Sequence, residues 1–195
     1  MKIKLLVVVT GLLSIISLPV HAHTGLGTVH GVVDGLLHPL TGIDHLLVIL
    51  AVGLLAVMRG GRELWLLPAS FLLMMTVGAG LHFAGFTLSA AETWVAFSVM
   101  ASGLLLWTNY KVSSGLAVAL VAVFALGHGY VHGSDLQTGA DVAGYTTGFL
   151  LTTALLQGLS ITMGLLLSGT SSLKIMTTGF GLLCAVVGTT LLVGA

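Results

Sequence analysis

Residues 36–58 read LLHPLTGIDHLLVILAVGLLAVM. The run is long enough to cross a hydrocarbon core of about 30 Å as a helix. Yet it holds His38, Asp44 and His45, together with the helix breakers Pro39 and Gly42. Proline removes a backbone donor and glycine weakens the helix a second time. A carboxylate inside a span is costly unless it is paired or faces water, so Asp44 marks a functional position rather than a packing one. His38 and His45 are seven residues apart and share a face on a regular helix. A cation beside Asp44 would offset the cost of its charge. The bland alternative is an Asp–His pair that only packs helices together.

The rest of the chain has the same character. Of 195 residues, 56% are hydrophobic and 6% are charged, and the mean hydropathy is +1.14. Too few charges remain to cover a water-facing surface, so the solvent is lipid. Net charge is zero and the six Lys and Arg are scattered, which gives no footprint for nucleic acid. Apolar runs near 36–58, 64–86, 92–108, 113–133, 142–167 and 173–193 predict six transmembrane helices, an all-α polytopic membrane protein. Period-two alternation, the mark of a closed barrel, is missing. The single Cys184 has no partner for an internal disulfide and reads as a packing residue, as do Met74 and Met75.

Residues 1–22 read as a signal peptide. Lys2 and Lys4 precede a short apolar run, and a small-residue site ends at Ala22. Cleavage there makes His23 the mature N-terminus of a six-helix domain spanning 23–195. It also leaves that terminus outside. Arg59, Arg62, Lys111 and Lys174 then all fall at cytoplasmic loops, as the positive-inside rule asks. The expected location is the inner membrane, with the mature N-terminus and the C-terminus both periplasmic.

This topology gathers the histidines at the periplasmic side. His23 and His30 precede the first span. His38, His45, His82, His128 and His132 lie in the outer parts of the first, second and fourth. Depth at 1.5 Å per residue suggests a ladder, with His132 near the rim and Asp44 and His45 near the midplane. In Gly127-His128-Gly129-Tyr130-Val131-His132 the two histidines are at i and i+4, one turn apart, where they can chelate one ion. His23, His38, Asp44, His45, His128 and His132 are the candidate metal ligands; His30, His82 and Glu92 are weaker ones. The fifth run carries Asp141, Tyr145, Thr146, Thr147, Thr152, Thr153 and Gln157, hydroxyls that either bond back to their own helix or line a polar path. Imidazole with carboxylate and no thiolate suits Ni²⁺, Co²⁺, Zn²⁺ or Cu²⁺.

The segments His38-Pro-Leu-Thr-Gly-Ile-Asp44-His45, Gly127-His128-Gly-Tyr-Val-His132-Gly133 and Gly144-Tyr-Thr-Thr-Gly148-Phe149, with the start His23-Thr24-Gly25, resemble the HupE/UreJ family. The resemblance implies a nickel or cobalt permease, connected with hydrogenase or urease maturation. It places His38, Asp44, His45, His128 and His132 in the metal path. Where members often have a histidine on the fifth helix, this chain has Gln157. The partners expected are a divalent ion and the lipid bilayer. The ion is cargo, so no tightly bound cofactor and no enzymatic reaction is expected. Other classes the residues allow are an intramembrane zinc hydrolase, a haem-binding electron carrier and a periplasm-facing metal-binding or delivery protein.

Overall fold

The computed structural model describes residues 31–136 and 139–194, and within them the chain is all helical. Seven helices follow in order: α1 (Val32–Thr41), α2 (Ile43–Arg59), α3 (Glu63–Phe83), α4 (Ala91–Thr108), α5 (Ser114–Asp135), α6 (Val142–Leu166) and α7 (Ser171–Gly194). Helices α3, α5, α6 and α7 are long and apolar enough to cross a membrane, and α1 with α2 makes a fifth if the pair is one span. Apolar side chains also cover the outside: Leu73, Leu155, Leu166 and Ile175 are all more than half exposed. A helix bundle that is apolar outside as well as inside belongs in lipid.

The first predicted span is not one helix. It is broken at Gly42, and α1 and α2 meet at 81°. The cause is local. Pro39 has no N–H to donate. The carbonyl of His38 takes the Gly42 N–H at 3.3 Å and the Thr41 hydroxyl at 2.9 Å. A fresh helix starts when the Leu46 N–H reaches the Gly42 carbonyl at 2.9 Å. The fourth predicted span also runs longer than its apolar run, because α5 continues through Asp135, which the sequence places in a loop.

Helix α2 is the centre of the bundle. It contacts α1, α3, α4, α6 and α7, and almost every side chain from Leu47 to Val57 is buried. The other helices pair around it, α3 along α5, α4 along α7 and α1 along α6. In lipid such pairs are held by close backbone approach rather than by a hydrophobic drive. Gly35 and Gly148 provide it between α1 and α6, where a Cβ on either would overlap the other helix's backbone. Gly78 and Gly129 do the same between α3 and α5.

At one end of the bundle, the Arg59 guanidinium donates to the Val112 carbonyl at 2.9 Å and lies 3.9 Å from Glu63, whose carboxylate also accepts the Ser114 hydroxyl. These contacts bring the α2–α3 and α4–α5 connections together, so Arg59, Arg62 and Lys111 share one end. At the other end Tyr130 donates to the Phe86 carbonyl at 3.0 Å.

Candidate metal site

The break at Gly42 puts the N-terminus of α2 inside the bundle. The first turn of a helix has backbone N–H groups without carbonyl partners, and its dipole favours negative charge. Asp44 occupies that turn. Its Oδ1 accepts the His45 backbone N–H at 2.8 Å and the His45 Nδ1–H at 2.7 Å. Both residues are buried, Asp44 at 1% exposure and His45 at 2%. Because a carboxylate only accepts, the proton of His45 sits on Nδ1. Nε2 then carries a lone pair, and it has no partner among the described residues. Gly42 leaves the room for this pair: a Cβ there would lie 3.1 Å from His45 Nδ1 and 3.2 Å from Asp44 Oδ1.

A second imidazole is set up the same way from α5. His128 is fully buried and its Nε2 lies 2.7 Å from Ser98 Oγ on α4. Ser98 spends its proton on the Val95 carbonyl at 2.7 Å, so it accepts from His128 Nε2–H. Nδ1 is left with the lone pair and no partner among the described residues. Fixing the tautomer through the other ring nitrogen is the usual way a protein prepares a histidine ligand. Ser98→Ala is therefore expected to weaken Ni²⁺ binding about 10- to 100-fold without unfolding the chain. Isothermal titration of the detergent-purified variant measures this, and an unchanged Kd would remove Ser98 from the site.

The histidines converge instead of forming a ladder. Ring centroids lie 4.6 Å apart for His45 and His128, 4.0 Å for His45 and His132, 4.7 Å for His38 and His132, and 6.3 Å for His38 and His45. The sequence expectation of a shared face for His38 and His45 also fails. They sit on different helices, and the bend is what folds them together. His132 is 3% exposed, packed among the other rings of the cluster.

Asp135 completes the outer part of the cluster and was not singled out as a ligand from the sequence. Ligand atoms of His38, His132 and Asp135 all lie within 4.8 Å of one another. His132 Nδ1 and Asp135 Oδ2 are 3.9 Å apart. The signal was present in the spacing, since i and i+3 share a helix face, but it depends on α5 continuing to Asp135. Phe149 and Tyr145 of α6 close one wall, with the Phe149 ring 4.2 Å from His132 and the Tyr145 ring 5.8 Å from His38. A small, partly open cleft between α3, α5 and α6 reaches His132 and Tyr145.

The structure does not bring His82 or Glu92 into this cluster. His82 packs on Tyr130, ring to ring at 5.3 Å, and against Gly133. Glu92 lies exposed in the first turn of α4. His23 and His30 lie outside the described residues. Met75 and Cys184 are core residues.

Comparison with known proteins points the same way as the residues. The family model described as HupE / UreJ protein matches residues 11–191. The chain is 37% identical to Protein HupE of Rhizobium leguminosarum bv. viciae over 188 residues, which is 95% of this chain and 97% of that protein. No solved structure matches.

Proposed function

The chain belongs to the HupE/UreJ family, and on that footing we propose that it is a permease for a divalent transition metal, nickel or cobalt. One observation carries the reading: four imidazoles and the carboxylates of Asp44 and Asp135 meet around a helix break inside an apolar bundle. Nitrogen and carboxylate donors without thiolate suit Ni²⁺ and Co²⁺, with Zn²⁺ and Cu²⁺ as competitors. Discontinuous helices that hold a substrate near the midplane are a recurring transporter device.

In this reading α1 and α2 form one broken span and α4 also crosses, which makes six. Removal of residues 1–22 leaves His23 at the entrance, and both termini face the periplasm of an inner-membrane protein. The loops holding Arg59, Arg62, Lys111 and Lys174 face the cytoplasm. The ion enters by the cleft beside His132, exchanges water for the imidazoles of His38 and His132 and the Asp135 carboxylate, and passes to His45 and His128. Asp44 balances its charge there. The sequence has no P-loop, so energy does not come from ATP hydrolysis by this chain. Nickel delivered this way would serve hydrogenase or urease maturation.

Uptake into proteoliposomes, with a panel of divalent ions, tests the reading. Ni²⁺ or Co²⁺ is expected to accumulate with the wild type and not with His45→Ala. Tight binding without accumulation would replace the permease by a metal-binding or delivery protein. Loss of both binding and accumulation in the wild type would end the metal reading.

A further inference from the structure

We infer that Thr153 and Gln157 form a second station for the ion, built from oxygen donors and lying beyond the histidine cluster. This rests on the permease reading. Helix α6 connects the two places. Its Tyr145 and Phe149 wall the cluster. Thr153 follows one turn later and Gln157 another, so Gln157 lies about 12 Å along the helix from Phe149 at 1.5 Å per residue. That direction leads away from the cluster toward the end where Arg59 lies. There α6 runs against α2, with Gly53 facing the Gln157 carbonyl and Ser160, and Gly164 facing Val57.

Both side chains are sealed in, Thr153 at 0% exposure and Gln157 at 1%. Neither spends its polar side-chain atoms on another group among the described residues. The Thr153 hydroxyl, the Gln157 amide oxygen and the Gln157 amide nitrogen have no hydrogen-bond partner among the described residues. A helical threonine normally spends its hydroxyl on the carbonyl one turn back. Thr147 and Thr162 do this on the same helix, at 2.7 and 2.8 Å. Thr152 bonds across to the Leu36 carbonyl at 2.9 Å. Thr153 does neither. The facing stretch of α2, from Leu46 to Met58, has only apolar side chains to offer. A buried amide and hydroxyl with no protein partner are costly, and such groups call for a polar guest.

The guest these donors suit is a divalent cation that keeps part of its water shell. Amide and hydroxyl oxygens are neutral and bind Ni²⁺ or Co²⁺ more weakly than imidazole does. Weakness is useful here, because conduction needs sites that an ion can leave as well as enter. The arrangement also gives the path a step beyond its last histidine, where the facing stretch of α2 from Leu46 to Met58 offers neither imidazole nor thiolate.

The test compares equilibrium Ni²⁺ binding in detergent with the initial rate of uptake into proteoliposomes. Thr153→Val is nearly isosteric, and Gln157→Leu removes the amide. Both are expected to bind Ni²⁺ at the cluster with wild-type stoichiometry and Kd, and to take it up about tenfold more slowly or worse. Gln157→His is expected to bind one further ion per chain and also to slow uptake. Wild-type uptake rates in Thr153→Val and Gln157→Leu would overturn the station. So would parallel loss of binding and uptake in Thr153→Val, which would assign the residue to the cluster or the fold. A wild type that binds but does not transport would instead be a failure of the permease reading, and the two are told apart in one assay.

Discussion

Replacing Asp44 by asparagine is expected to lower nickel uptake about 100-fold or more while the protein stays folded. The size follows from two losses at one atom. Asp44 Oδ1 holds the proton of His45 on Nδ1, through the 2.7 Å contact, and so leaves Nε2 bare for a metal. An asparagine whose amide oxygen takes the Oδ1 position accepts the same two N–H groups but carries no charge, so it holds the proton on Nδ1 less firmly and leaves Nε2 a weaker ligand. The variant also removes the negative charge that balances a divalent ion in a site with almost no water contact. A hundredfold loss corresponds to about 2.8 kcal/mol. The fold should tolerate the change, because an amide oxygen can still accept the His45 backbone N–H at the start of α2. Uptake of radioactive nickel, with thermal unfolding in detergent as the control, reads both outcomes. Undiminished uptake in Asp44→Asn would remove the carboxylate from the path.

The second large effect is structural. Gly129→Val is expected to abolish metal binding and to destabilise the bundle by about 3 kcal/mol or more. A Cβ at 129 would overlap the Met75 backbone carbonyl, and the reciprocal glycine, Gly78, lies against the Leu126 carbonyl and the Tyr130 N–H. The α3–α5 pair therefore meets backbone to backbone, with no side chain able to move aside. Pushing the helices apart shifts α5 where His128 and His132 flank the substituted position. Gly158 on α6 supplies the contrast. A Cβ there meets nothing within 4 Å, so Gly158→Ala is expected to be neutral or slightly stabilising through better helix propensity. Size-exclusion profile, thermal midpoint and Ni²⁺ titration on the two variants separate a glycine needed for approach from one that is not. Equal behaviour of the two would contradict this account of the packing.

Sequence reading reached the membrane class, the helices and most of the residues that converge at the candidate site for reasons that are local. Charge scarcity makes a membrane protein, and long apolar runs make helices, whatever they pack against. Asp44 stood out because a carboxylate in an apolar run is expensive anywhere in lipid. His128 and His132 were legible as a pair because one helical turn fixes their separation. Predicted boundaries for α3, α4, α6 and α7 came within a few residues of the observed helices. Asp135 was missed because a polar stretch after an apolar run looks like a loop; whether a helix continues through it depends on what its side chains meet.

What the sequence by itself determined was residue type and helical period: an all-helical membrane chain carrying nitrogen and carboxylate donors on its first and fourth apolar runs. Only the tertiary structure decided how those donors meet. A period computed along an unbroken helix stacks His38 and His45 as rungs of a ladder. Pro39 and Gly42 announce a weakness there, but the 81° turn comes from α1 lying on α6 while α2 fills the centre of the bundle. That turn sets His38 and His45 against His132, and it exposes the first turn of a helix to hold Asp44. Depth along a straight axis is one coordinate, and the site is defined by three.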